Sequence, residues 1–164
     1  MHPTGRVEKP IGIFDSGLGG LTVARAVQEA FPSEHLVYLG DTARVPYGTR
    51  SAETVVKYAI GCAERLLAFD IKLLVVACNT ASGVALEALQ ERLDIPVVGV
   101  IQPGAAAGVR ATRSGRIGVL ATAGTVASGA YERAIHRENP SIEVFAQPAP
   151  LFVPLAEEGL SLIH

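Results

Sequence analysis

Cys78 carries the most reactive side chain, in a place where it could be used. It closes the run Lys72-Leu73-Leu74-Val75-Val76-Ala77 and is followed at once by Asn79 and Thr80. If that run is a strand and a helix opens after it, the first backbone N–H groups of the helix stabilise an anion and lower the thiol pKa. A thiolate serves as a base as well as a nucleophile. The same position also suits a free cysteine acting as a small buried hydrophobe. Asn79 and Thr80 favour chemistry, because a purely structural site needs no polar groups there. Cys62 falls beside Ala59 and Leu66 on the apolar face of a helix, and packing is the expected use of its thiol.

Further groups of interest gather after other apolar runs. Asp15 and Ser16 precede the turn Gly17-Leu18-Gly19-Gly20. Simple N-capping explains such residues. The glycine spacing departs from both the dinucleotide fingerprint and the phosphate loop, but it leaves N–H groups open to an anion such as a carboxylate. Asp41 and Thr42 follow the second run, and Thr122 and Thr125 the fifth. Pro46-Tyr47-Gly48-Thr49-Arg50 reads as a turn, with Tyr47 the residue a turn explains least. His2, His35, His136 and His164 are scattered and have no metal-ligand spacing.

These residues need elements to hold them. Ile11–Phe14, Leu36–Leu39, Lys72–Ala77, Pro96–Ile101, Arg116–Leu120 and Ile142–Phe145 read as buried strands. Helical spacing lies between them. It places Leu21, Ala24, Val27, Ala30 and Phe31 on one face, and Val55, Ala59, Cys62, Leu66 and Leu67 on another, with Ser51 as N-cap. Further helices run through Val84, Leu86 and Leu89, from about Gly104, and through Val126, Tyr131 and Ile135. The alternation predicts an α/β fold with a mostly parallel sheet flanked by helices. In such sheets ligands bind beyond the carboxyl ends of the strands. Asp15, Ser16, Asp41, Thr42, Cys78, Asn79, Thr80, Thr122 and Thr125 would all fall on that rim.

Composition excludes several classes. The chain has 164 residues, 49% hydrophobic and 18% charged, with net charge −2. No basic face suggests nucleic acid or a membrane surface, and no run of about 18 apolar residues could span a bilayer. Met1–Lys9 reads as a disordered leader without a signal-peptide core. The two cysteines do not suggest a disulfide framework, and a reducing cytoplasm is the expected location.

Several stretches together resemble the glutamate racemase family. They are Gly12–Gly20, Tyr38–Gly48, Val75–Ala81, Ile117–Thr122 with Thr125, and Pro150–Leu155 before Glu157. The resemblance runs from about Ile11 to Gly159. It implies two similar α/β domains, here residues 10–103 and an incomplete 104–164. It implies interconversion of L- and D-glutamate, supplying D-glutamate for peptidoglycan, by two thiols on opposite faces of the α-carbon. Neither pyridoxal phosphate nor a metal would be needed. Cys78 matches the thiol that takes the proton from D-glutamate, and Asp15 the carboxylate assisting it. Ser16, Pro46, Tyr47, Gly48, Asn79, Thr80 and Thr122 match positions lining the site or holding substrate. Thr125 accompanies them, and Glu157 resembles a carboxylate near the second thiol. Members are often dimeric.

The chain departs from that pattern at its end. The family's second cysteine lies in a Gly-Cys-Thr-His segment, and no cysteine follows Cys78 here. The segment Leu160–His164 matches a reading frame of a transposon-derived sequencing adaptor, so the expectation is a truncated racemase, inactive or nearly so. The rivals are an aspartate racemase-like protein and a short protein that binds glutamate or a protein partner without catalysis.

Overall fold

The computed structural model describes residues 9–157, with Glu157 described by its backbone alone. The glutamate side chain at 157, most of the expected leader, and Leu160–His164 lie outside the described residues. Lys9, the last residue of that leader, is described and pairs with Asp70 at 2.6 Å.

The apolar runs form two parallel sheets. Strands β1 (Ile11–Asp15), β2 (Leu36–Gly40), β3 (Leu73–Val76) and β4 (Val97–Gly99) make a 4-stranded sheet in the order β2-β1-β3-β4. All its pairings are parallel, with Ile11 opposite both Leu36 and Leu73. Strands β5 (Arg116–Ala121) and β6 (Glu143–Pro148) form a separate 2-stranded parallel sheet. Parallel pairing needs a crossover between strands, and the intervening amphipathic segments supply it as helices.

The first sheet is centred on β1, every residue of which is buried. Helix α2 (Ala52–Leu67) covers one face. Val55, Ala59, Cys62 and Leu66 point inward as their spacing predicts, joined by Ala63, and Ser51 caps the helix by accepting from Thr54 N–H at 3.3 Å. Phe14, Leu74 and Val76 meet this helix in the larger core cluster.

Helix α1 (Leu21–Ala30) covers the opposite face only partly. It forms where its periodicity places it, but none of its residues is buried. Val23, Ala24 and Val27 are half-buried against Ile11, Ile13 and Val75, whereas Leu21 and Phe31 stay about half exposed or more, at 49% and 58%. The expected inward face of this helix is thus mostly open. It borders an apolar cavity of about 590 Å³ with Leu73, Val98 and Pro103.

Other boundaries move as well. The helix expected through Val84–Leu89 is two, α3 (Asn79–Val84) and α4 (Leu86–Arg92), hinged at Ala85. The expected strand Pro96–Ile101 shortens to β4, because Ile101 already begins α5 (Ile101–Ala111), three residues before Gly104. That helix runs through the expected domain boundary at 103/104, and its Ile101 and Ala105 sit in the core of the second sheet. The helix expected through Val126–Ile135 divides into α6 (Ala123–Ala127) and α7 (Ala130–Glu138) at Gly129, whose φ of 62° suits glycine. Strand β6 extends to Pro148, and α8 (Phe152–Glu157) ends the described chain.

Candidate active site

The carboxyl ends of β1 and β3 lie side by side and bring Asp15 and Cys78 to one cleft of about 250 Å³. Its walls include Ser16, Pro46, Tyr47, Gly48, Asn79, Thr80 and Thr122, all marked in the sequence, together with Thr22, Val23, Val45, Val100 and Val153, which were not. Val45 and Val153 fall within stretches that carry the family resemblance, whereas Val23 on α1 and Val100 before α5 had no signal beyond their apolar character.

Cys78 stands between strand and helix. It is 4% exposed and occupies the N-cap of α3, where its Sγ accepts from the Ala81 N–H at 3.4 Å. The neutral thiol donates to Ser16 Oγ at 3.3 Å. The expected fall in its pKa is not what this arrangement gives. Burial pushes the thiol up from its ordinary value, and the Asp15 carboxylate adds to the rise. The Ser16 hydroxyl and the Ala81 N–H favour the thiolate but do not outweigh the lost hydration. Cys78 is therefore held as a protonated thiol at neutral pH.

Asp15 is buried and its Oδ2 accepts from Gly17 N–H at 3.1 Å and Gly20 N–H at 3.0 Å. This corrects the reading that the glycine turn is open to an external anion: two of its N–H groups are filled by the chain's own carboxylate. Neither Asp15 nor Ser16 caps α1 directly, since the N-cap is Gly20. Gly20 is needed for this, because a Cβ there would fall 2.5 Å from that of Asp15. Beside the turn, Tyr38 donates to Gly17 O at 3.3 Å, and burial with the nearby Asp15 raises its pKa to about 12.

Tyr47 lines the cleft but commits its phenol elsewhere. The ring is buried at 1% exposure, and its hydroxyl donates to Asp41 and lies 3.8 Å from Cys62 Sγ. Burial, reinforced by Asp41, drives this phenol's pKa upward. Asp41 also accepts from Arg44 Nε, whose guanidinium stacks 4.6 Å over the Tyr58 ring. Asp41 thus anchors the loop from behind instead of facing the rim. Cys62 is fully buried under this cluster, and burial raises its pKa too.

Opposite this loop, the two sheets meet through hydroxyls. Thr80 on α3 lies 3.0 Å from Thr122 Oγ1 and 3.1 Å from Thr125 Oγ1, and the latter two are 2.9 Å apart. Thr122 caps α6 by accepting from Thr125 N–H. In a closed triangle each hydroxyl donates once, so all protons are used internally. Holding a ligand anion would require one hydroxyl to turn outward. Thr125 is 2% exposed and acts behind the other two. Gly48 completes the seam, since a Cβ there would fall 2.4 Å from Thr122 Cβ.

His136, one of the scattered histidines, meets Ile142 O at 3.0 Å on the far side of the second sheet. Among the described residues no His, Cys, Asp and Glu cluster could hold a metal ion, and no helix is long and apolar enough to cross a membrane.

Residues 21–150 match the Asp/Glu/Hydantoin racemase family. The chain belongs to that family. It is 62% identical over 151 residues to a glutamate racemase of Geobacter metallireducens, covering 92% of this chain and 56% of the relative. A solved glutamate racemase isoform from Bacillus anthracis superimposes with a TM-score of 0.88 at 45% identity, over 91% of this chain and 56% of that one. The glutamate racemase of Francisella tularensis, solved with D-glutamate, gives 0.85 at 42% identity, over 93% and 57%. This racemase-family chain therefore spans little more than half the length of these relatives. The α/β architecture with parallel sheets flanked by helices is theirs.

Proposed function

We propose that this chain carries one half of a glutamate racemase active site. Cys78 is the thiol that exchanges the α-proton of D-glutamate, and Asp15 is the carboxylate beside it. The observation that carries this reading is the placement of Cys78: a thiol between Asp15 and Ser16 on the floor of a cleft ringed by Asn79, Thr80, Thr122 and Gly48.

The chemistry follows from the arrangement. Before it can accept a proton from carbon, the thiol passes its own to a base, proposed to be the neighbouring Asp15 carboxylate, and Ser16 Oγ and Ala81 N–H are placed to hold the thiolate once formed. Cα–H then transfers to Sγ, leaving a carbanion whose charge spreads into the substrate carboxylate. Inversion needs a second acid on the far face. Cys62 cannot supply it, because it lies fully buried behind Tyr47. Glu157 is proposed near that far face, and the relatives' remaining length as the source of the second thiol. The division between domains, expected at 103/104, is proposed at the β4–α5 junction, a reading supported by the packing of α5 in the second sheet's core. L- and D-glutamate are the proposed ligands, without pyridoxal phosphate or metal, in the cytoplasm, with the complete protein a homodimer that makes D-glutamate for peptidoglycan.

The test is D- and L-glutamate in heavy water. The 164-residue chain should exchange the α-proton of D-glutamate slowly and with retention, and should not racemise either enantiomer at an enzymatic rate. Cys78→Ala should abolish the exchange. Racemisation at an ordinary rate, or exchange indifferent to Cys78→Ala, would contradict the assignment. Binding without any exchange would leave a non-catalytic glutamate binder.

A further inference from the structure

One hydrogen bond crosses from the second sheet's helices to the cleft and has no part in the chemistry above. Tyr131 on α7 donates its hydroxyl to Asn79 Oδ1 at 2.7 Å. Asn79 directly follows Cys78. It lines both the cleft and a neighbouring cavity of about 450 Å³ bounded by Gly104, Gly108, Ile117 and Ile135. The Tyr131 ring is seated against α5 at Gly104, where a Cβ would stand 3.4 Å from its hydroxyl oxygen.

A carboxamide has an acceptor end and a donor end, and an exposed asparagine can present either. For an anionic ligand the difference is one of sign: the carbonyl oxygen repels a carboxylate and the NH2 attracts it. A protonated tyrosine hydroxyl can donate to the carbonyl end or accept from the NH2, and Tyr131 is oriented to donate, its hydroxyl meeting Oδ1. Burial raises the Tyr131 pKa, so it remains a donor across the neutral range. The Nδ2 group of Asn79 then has no protein partner among the described residues and is left for a ligand.

We propose that Tyr131 is a positioning residue: its hydroxyl fixes the Asn79 carboxamide so that the NH2 is free to meet a ligand carboxylate in the cleft. The ligand part of this rests on the proposed function, whereas the clamp itself does not.

Tyr131→Phe removes the hydroxyl and keeps the ring. Two-dimensional ¹⁵N NMR of the Asn79 side-chain amide, assigned by its loss in Asn79→Ala, reads the clamp without ligand. The expected result is a resonance that moves in Tyr131→Phe toward that of a free asparagine amide, with the melting temperature nearly unchanged. Tyr131→Leu, which also removes the ring packing, should lower the melting temperature. A D-glutamate titration of wild type and Tyr131→Phe reads the consequence, with affinity expected to fall roughly 2–10-fold. An amide resonance unmoved in Tyr131→Phe overturns the proposal. So does a moved resonance with unchanged D-glutamate affinity. If the wild-type chain binds no D-glutamate, the substrate reading fails, and the amide resonance alone decides the clamp.

Discussion

The two sheets of this protein are built from the same kind of unit but finished to different degrees. In the first, β1 lies between two strands and is buried throughout, and a large cluster from Phe14 to Val97 packs against its α2 face. In the second, β5 has β6 as its one strand partner among the described residues, and β5 alternates between exposed and half-buried with Val119 alone buried. Leu120 and Phe145 are left 62% and 52% exposed. The groups proposed to do chemistry, Asp15 and Cys78, stand on the well-packed sheet. The groups that reach toward them from across the cleft, Thr122, Thr125 and Tyr131, stand on the sparsely packed one. Geometry is thus fixed on one wall of the cleft and adjustable on the other.

The comparison should show first in amide hydrogen exchange. Amides of β1 and β3 should exchange only on global unfolding, and those of β5 and β6 by local opening orders of magnitude sooner. Equal protection in the two sheets would break the contrast. Phe14→Ala should destabilise the chain by about 3–5 kcal/mol in urea unfolding, while Ile135→Ala, equally buried but in the smaller core, should cost about 2 kcal/mol. A single transition with equal losses would mean that the two units unfold as one. Gly48→Ala should cost about 1–3 kcal/mol by driving a methyl into Thr122. That loss should shrink in a Thr122→Gly background, which removes the Cβ that the added methyl meets first. Smaller still, Ser51→Ala should remove about 1 kcal/mol through the lost cap and leave the second sheet's exchange untouched.

A pH test addresses the fixed wall alone. Burial and Asp15 both disfavour the Cys78 thiolate, so its alkylation by iodoacetamide should be slower at pH 7 than that of free cysteine. The rate should climb as pH rises past the usual thiol range. Asp15→Asn removes one of the two opposing causes and should shift that climb to lower pH. Peptide mapping separates Cys78 from the buried Cys62. A rate profile like that of free cysteine would contradict the desolvated setting described for the thiol.

Much of this was legible from residue spacing. Continuous apolar runs located the strands, and the rule that ligands sit at strand carboxyl ends brought Asp15, Cys78 and Thr122 to one place. What escaped was set by tertiary contact. The apolar face of α1 has the periodicity of a buried helix, yet nothing among the described residues closes over Leu21 and Phe31. The direction of the Cys78 pKa depended on how much water the fold removes, which a helix N-terminus alone does not reveal. Tyr131 read as one more inward residue of an amphipathic helix, because the partner of its hydroxyl lies on another helix, far away in the chain.

The sheet order β2-β1-β3-β4 also sets a schedule during synthesis. The ribosome delivers β1 first, and β2 soon covers one of its edges. The other edge waits until Leu73–Val76 has emerged. For that interval the nascent chain presents a wholly apolar strand, Ile11–Phe14, with unpaired backbone groups beside it, and such an edge invites pairing with neighbouring chains. Helix α2 emerges inside that interval and can shield one face of the strand before its second neighbour arrives. Slowing translation while α2 but not yet β3 has left the ribosome should therefore raise co-translational aggregation more than slowing it after β4 has emerged.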